Sequence, residues 1–452
     1  MVNGKWENIC SRADTCALTG AAAFFAGIPK SEVLVNGPLW CYFYALRHLE
    51  HTEYNMAERF HGSQPDNNAI VYGTEKFLLE ALESIKKEKQ NPDVMLIENS
   101  CSLSLIGDDI AGIAKKADLK CPVITMDSGG LNGGFAEGYS KAAIKLLESL
   151  QLDKSKNPSL KVNLIGLTPF YFNGKNDAEE IIRLLKLCCC DINVILGCGS
   201  PYDKIKTLTD ASLNIVIHEE LGLGIARYLK ENYDMPYICA GVPYGTDGTQ
   251  EWISKIAECL PLSDEQVLYE AKEVQKKLMY WNNDMRCQWG NLWFDEVITA
   301  APPTTAMCFA DTLVREWIDT GSLNLICQHK TDNNCGAGKY ADKIFFAGED
   351  GENIEYLLNN FSDGLLTGSS SEKAVLDRSG NYNTATVNIA FPVNDEMLIT
   401  DLPFCGLRGS AHILQRLWNA FIQKKQRRQS YEKILFYYNA NKFVFFSGWL
   451  WL

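Results

Sequence analysis

The feature that most constrains this chain is a serial alternation of short apolar runs with segments whose apolar residues recur at helical spacing. In the first third, EVLVNG, AIVYG, DVMLIENS and PVITMDS read as buried strands of about five residues. Between them LWCYFYALRHLE, TEKFLLEALESIKKEK and LIGDDIAGIAKKA carry the period of amphipathic helices, and GFAEGYSKAAIKLLESL closes the unit. A polar, proline-bearing stretch at 149–161 reads as a linker. KVNLIGL then opens a second series, with NVILG, LNIVIHE and YICAG as strands and EEIIRLLKL and GIARYLKENY as helices. A long helical stretch over 264–294 bridges to a third series, whose strands are EVITAAPP, LNLICQ, KIFFAG, GLLTGSS and TVNIAFP. The expected class is α/β: three doubly wound, mostly parallel β-α domains, at 1–150, 160–295 and 296–452. In such sheets ligands bind beyond the carboxyl ends of strands, so the chemistry is to be sought there.

A net charge of −13 argues against sequence-independent binding of nucleic acid or of an anionic membrane. No apolar run reaches the length of a membrane helix, and MVNGKWENIC lacks the basic and apolar regions of an export signal. The expectation is a cytoplasmic protein whose sixteen cysteines are reduced thiols rather than disulfides.

Three of those cysteines stand where strand-to-helix loops converge. Cys16 precedes a helix of small residues, Cys41 opens the helix after VLVNGPLW, and Cys101 lies between a strand and the next helix. A helix N-terminus favours thiolate over thiol, and thiolates hold iron–sulfur clusters. On composition alone the same residues also read as small buried hydrophobes. Their spacing is far from the close pairs of a zinc ribbon.

The surrounding residues carry a resemblance. C-x-L-x-G-A-x-x-x-x-x-G-I at Cys16, V-x-G-P-x-x-C at Cys41, V-Y-G-T-E-K-x-L-x-E-A-L, and S-C-x-x-x-x-I-G-D-D-I at Cys101 resemble the first domain of nitrogenase component 1 subunits. PVITMDSGGLNGGFAEGY and LPFCGLRGSAHILQRLWNAF extend the likeness to nearly the full length. That family includes the nitrogenase α and β chains, cofactor-assembly scaffolds and protochlorophyllide-reductase-like relatives. The resemblance implies that Cys16, Cys41 and Cys101 ligate an iron–sulfur cluster, of the 4Fe-4S or the eight-iron P-cluster type, shared between subunits. It further implies a paralogous or identical partner subunit, in a dimer or an α2β2 assembly, and electrons from an ATP-dependent iron-protein reductase. Cys10 is a further candidate ligand. Gly134 stands where a β-type chain can supply a serine ligand, so that ligation is not expected here.

His218 stands where the nitrogenase α chain has a cofactor-binding cysteine, which makes it a candidate cofactor-binding residue; a capped, hydrogen-bonded histidine is the plainer reading. Neither His329 nor His412 matches the cofactor histidine, so a nitrogenase α chain is disfavoured. The resemblance implies an oxidoreductase subunit; a non-catalytic cluster-assembly scaffold or a structural partner is the alternative. No catalytic acid or base can be assigned. Asp108 and Asp109 read as helix-capping carboxylates. Cys188, Cys189 and Cys190 read as a helix end, CGAGK at Cys335 as a turn, and KKQRRQ as the solvated end of a helix. The WLWL terminus reads as packing against the body or a partner subunit.

Overall fold

A computed structural model describes residues 15–447 apart from 53–54, 67, 89–91 and 155–158; it describes side chains, other than those of residues 70 and 71, as far as residue 428. Cys10 and WLWL lie outside the described residues.

Three sheets follow one another along the chain. The first comprises β1 (Ser31–Asn36), β2 (Phe60–Gly62), β3 (Val94–Asn99) and β4 (Val123–Asp127), in the order β2-β1-β3-β4. The second comprises β5 (Ser159–Ile165), β6 (Asp191–Ile195), β7 (Ala211–Val216) and β8 (Tyr237–Cys239), in the order β6-β5-β7-β8. The third comprises β9 (Trp293–Ala301), β10 (Asp319–Cys327), β11 (Lys343–Phe346), β12 (Leu365–Gly368) and β13 (Ala385–Asn388), in the order β11-β10-β9-β12-β13. Every pairing between these strands is parallel. Helices cover both faces, so strands such as β1 and β3 are buried along their whole length and read as unbroken apolar runs.

The topology fixes where chemistry can sit. In each sheet the winding reverses beside the first strand: between β1 and β3, between β5 and β7, and between β9 and β12. Loops leaving the carboxyl ends of those pairs diverge and open a crevice. Cys41 follows β1 and Cys101 follows β3; His218 follows β7.

One expected strand is a helix. AIVYG forms the single turn Ala69–Tyr72, and β2 takes its place, pairing Phe60–Gly62 with Val33–Val35. The cause is local: Asp66 Oδ1 accepts from the amides of Asn68 and Ala69, which starts a turn, and Gly73 ends it at φ 84°. KKQRRQ is not a helix end either. The helix Gly406–Ser447 runs through it, and Lys424 and Lys425 donate to the carbonyls of Asp363 and Trp289. The 149–161 linker shortens to the residues between the helix Phe135–Leu150 and β5. The cysteine triplet does close the helix Gly174–Leu187, with Cys188 and Cys190 buried and Cys189 exposed.

The helix Ala17–Ala26 is entirely buried and is the hub of the first half. Its small residues let it approach the helix Phe135–Leu150 at backbone distance: a Cβ on Gly20 would lie 1.9 Å from Phe135 O, and one on Gly138 1.9 Å from Ala17 O. Phe24 and Tyr139 meet edge to face, and the Tyr139 hydroxyl donates to Leu167 O, joining the first sheet's helices to the second sheet. Among the described residues no helix is long and apolar enough to cross a membrane.

Candidate functional site

A ladder of side-chain amides spans the carboxyl edge of the first sheet. Ser63 donates to Asn36 Oδ1, Asn36 Nδ2 donates to Asn99 Oδ1, and Asn99 Nδ2 donates to Asp127 Oδ1, all within 2.9 Å. Asn36 and Asn99 are buried and end β1 and β3, so their mutual bond fixes the two loops that carry Cys41 and Cys101.

Each cysteine then sits at a helix start. Cys16 is the N-cap residue of Ala17–Ala26, Cys101 the first residue of the short helix Cys101–Ser104, and Cys41 lies in the first turn of Leu39–Glu50. The turn after β4 closes the site. Cys16 bridges to Gly134 as an isolated antiparallel pair, and Ala17 N donates to Gly133 O at 2.9 Å. A side-chain carbon at Gly129 would lie 2.4 Å from Cys101 N and 2.9 Å from its Sγ. One at Gly130 would lie 3.2 Å from Cys16 Cβ and 3.7 Å from Cys101 Sγ. Glycine is thus required where the turn faces two of the thiols.

Electrostatics identify what this cradle suits. Burial first, then the charges of Cys16, Cys101 and Glu98, push the Cys41 thiol up. Negative charge on these neighbouring sulfurs is therefore disfavoured until a cation stands among them. Glu98 is fully buried; Ser128 donates to its Oε2 at 2.5 Å, while Oε1 has no hydrogen-bond partner. Burial holds its carboxyl well above the usual carboxylate range, and its charge, when ionised, joins those that push Cys41 up. Among the described residues no three His, Cys, Asp or Glu side chains converge closely enough for a single metal ion. The donor set fits an iron–sulfur cluster instead, in which each thiolate takes a different iron and the thiols stand further apart.

Hydrophobic side chains frame the three cysteines without burial. Trp40, Tyr44, Leu105 and Leu131 are 65%, 66%, 78% and 72% exposed, and Trp40 stacks on Tyr44. An exposed apolar patch of this kind marks an interaction surface.

His218 lies elsewhere. It is the N-cap residue of the helix Glu219–Tyr233, is buried, and holds Gly166 O at 2.9 Å through Nδ1. Burial lowers its pKa, so the ring is neutral. It lines a cavity together with Thr15, His48, Phe135, Asp177, Tyr244 and Phe391. About 40 Å³ of this space can hold the centre of a water-sized sphere, room for roughly three waters. The cavity therefore lies between loops of the second and third sheets and the helices of the first, and is narrow as it stands.

Sequence patterns alone do not single out His48 and Asp177. His48 is half-buried, with its Nε2 enclosed and without a hydrogen-bond partner, and desolvation together with the neighbouring His51 lowers its pKa to about 4. Its position seven residues beyond Cys41, on the same helix, is the one signal that could have placed it near the site. Asp177 Oδ1 accepts from the amides of Phe404 and Cys405, ahead of the helix Gly406–Ser447. Burial outweighs those bonds and raises it to about 6. Its folded pKa thus exceeds the unfolded value of 3.8, so the folded state binds the extra proton between these pH values. Stability is then greatest below the lower value and falls as pH rises through the upper one, by up to about 3 kcal/mol. Asp177→Asn, which keeps an acceptor for both amides, is expected to flatten that part of the profile in thermal unfolding measured from pH 4 to 8. An unchanged slope in the variant would refute the assignment.

Of the capping carboxylates, Asp109 does accept from Gly112 N at 2.9 Å. Asp108 does not cap: it accepts from the amide and hydroxyl of Thr74, tying the Cys101 loop to the start of the helix Glu75–Glu88. His412 bonds Pro403 O, and CGAGK is a turn in the 328–342 loop.

The profile of the nitrogenase component 1 type oxidoreductases matches residues 16–291, beginning at the first of the three cysteines. The chain belongs to that family. It is 24% identical over 381 residues to the B subunit of light-independent protochlorophyllide reductase from Crocosphaera subtropica, covering 79% of this chain and 72% of that one. The corresponding protein from Synechocystis is 25% identical over 428 residues, covering 89% and 81%. A structure of nitrogenase Cp1 at pH 6.5 superposes with a TM-score of 0.73 at 16% identity, over 92% of this chain and 93% of that one. Three parallel sheets with interleaved helices are therefore the family's fold, as the sequence led one to expect.

Proposed function

We propose that this chain is the cluster-bearing subunit of a nitrogenase-like oxidoreductase, with Cys16, Cys41 and Cys101 holding an iron–sulfur cluster at an interface with a paralogous or identical subunit. The observation that supports this most is the gathering of three thiols from three separate loops at one sheet edge, faced by a turn in which side chains have no room. The cluster, when bound, supplies one-electron relay from an ATP-dependent iron-protein reductase toward a substrate or second cofactor. The protein's share is to hold the three sulfurs on an edge fixed by the Asn36–Asn99 bond. The three sheets act as domains bounded near 1–150, 160–295 and 296–452, with the narrow cavity at their junction.

The exposed apolar side chains around Cys41 support a partner subunit at this face. Trp40→Asp combined with Tyr44→Asp puts two charges in that face and is expected to convert the assembly to separate chains in sedimentation velocity. Unchanged sedimentation would place the interface elsewhere.

The proposal is tested by supplying the assembled protein with its reductase, ATP and dithionite. ATP-dependent oxidation of the reductase with turnover supports it. A cluster that is instead handed to an acceptor protein, with no turnover, supports the second reading, a cluster-assembly scaffold. That reading is favoured by a cavity with room for only a few waters and by a buried, hydrogen-bonded His218 at the cofactor-ligand position.

A further inference from the structure

Thiols gather a second time where the second and third sheets adjoin. Cys308 lies on the helix Pro303–Thr312 and Cys335 in the 328–342 loop. Both thiols press on Gly241, where a side-chain carbon would lie 3.0 Å from Cys308 Sγ and 3.6 Å from Cys335 Sγ, and the Cys335 thiol donates to Asn333 Oδ1 at 3.7 Å. The loop is pinned in this position. Glu219 accepts from the amides of Cys335 and Asn334, and Lys255 Nζ donates to the carbonyls of Cys335 and Cys239 at 3.1 and 2.6 Å. The pair opens on a pocket separate from the central cavity, in which water-sized spheres find about 370 Å³. Lys255, Lys339, Asp311 and the ion pair of Arg315 with Glu251 line it. No third ligand stands close enough for a metal among the described residues, so the geometry is that of a dithiol.

We propose that Cys335 and Cys308 form a thiol–disulfide exchange centre for low-molecular-weight disulfides that enter this pocket. Cys335 attacks one sulfur of the small disulfide, forming a mixed disulfide and releasing one small thiol. Cys308 then attacks Cys335 Sγ, forming the Cys308–Cys335 bond and releasing the second small thiol. Two protein thiols are oxidised and one small disulfide is reduced to two thiols, with each protein proton leaving on a released thiol. The order follows from the surroundings. The neighbouring Cys335 and burial hold the Cys308 thiol well above its ordinary range, which leaves Cys335 the first to react. Lys339 on the pocket wall suits a small disulfide that carries a carboxylate, and this centre is independent of the cluster site.

The test is anaerobic incubation of the full assembly with oxidised glutathione, followed by denaturing alkylation and peptide mapping. The wild type is expected to lose Cys308 and Cys335 as alkylatable thiols and to yield one peptide pair joined through them, restored by dithiothreitol. Cys308→Ser is expected to stop at a mixed disulfide on Cys335. The exposed Cys189, Cys259 and Cys287 serve as internal comparisons. Cys335 that remains as alkylatable as in untreated protein, or glutathione that accumulates on the exposed cysteines and not on Cys335, would overturn the proposal.

Discussion

Gly138→Ala, and equally Gly20→Ala, is expected to destabilise the first half of the molecule by about 3 kcal/mol, the upper part of the range for overpacking. The two glycines face each other's helix at backbone distance, and a Cβ on either would lie 1.9 Å from a carbonyl oxygen. A carbonyl held in a helix cannot swing aside as a flexible side chain would, so the helices Ala17–Ala26 and Phe135–Leu150 must move apart. Alanine gains about 1 kcal/mol in intrinsic helix propensity, which the clash outweighs. The damage reaches the site as well, because Cys16 caps one helix and pairs with Gly134 at the start of the other. Urea unfolding checks this: the first transition moves to lower urea in both variants. A midpoint at or above that of the wild type would mean that the two helices do not pack as described.

Cys101→Ala is expected to do the reverse, sparing the fold and abolishing the chemistry. Cys101 is half-buried and starts a helix of a single turn, so its removal leaves no large void. Loss of partners that merely orient a metal ligand costs 10–100-fold in affinity or activity as a rule, so loss of a ligand should exceed about 100-fold. Cys41→Ala and Cys16→Ala should behave alike if, as proposed, the three thiols serve one group. The readout is the paramagnetic signal of the dithionite-reduced protein, beside an unchanged circular dichroism spectrum. A full signal in any of the three variants would remove that residue from the site.

Much of this architecture is legible in the residues because the physics is local and repeated. A strand buried on both faces must be apolar throughout, and EVLVNG or DVMLIENS have no other reading. AIVYG misled for the same reason. Its composition suits a strand, but the Asp66 side chain and Gly73 make it one helical turn, and the edge of the sheet went to FHG, whose histidine and glycine carry no strand signal. KKQRRQ misled because charge alone does not end a helix; the carbonyls of Asp363 and Trp289, distant in sequence, give Lys424 and Lys425 partners within it.

The three cysteines proposed as ligands stood out through their motifs, and the fold brings the loops of Cys41 and Cys101 together because β1 and β3 flank the reversal point of the first sheet. Their companions did not. Glu98 reads as one polar residue in an apolar strand, and only the fold shows it buried on Ser128 beside Cys41. Asp177 sits in an ordinary amphipathic helix, and its partners Phe404 and Cys405 lie more than two hundred residues away. Such pairings are made by packing between sheets, which no short pattern encodes.

The central claim is that Cys16, Cys41 and Cys101 carry an iron–sulfur cluster. It is tested most directly by iron and acid-labile sulfide per chain in anaerobically purified protein, with the three alanine variants alongside. A four-iron or eight-iron cluster shared by two chains predicts about two to four irons per chain with matching sulfide, lost in each variant. Wild-type protein that takes up no iron or sulfide on reconstitution, or variants that keep the wild-type content, would contradict it.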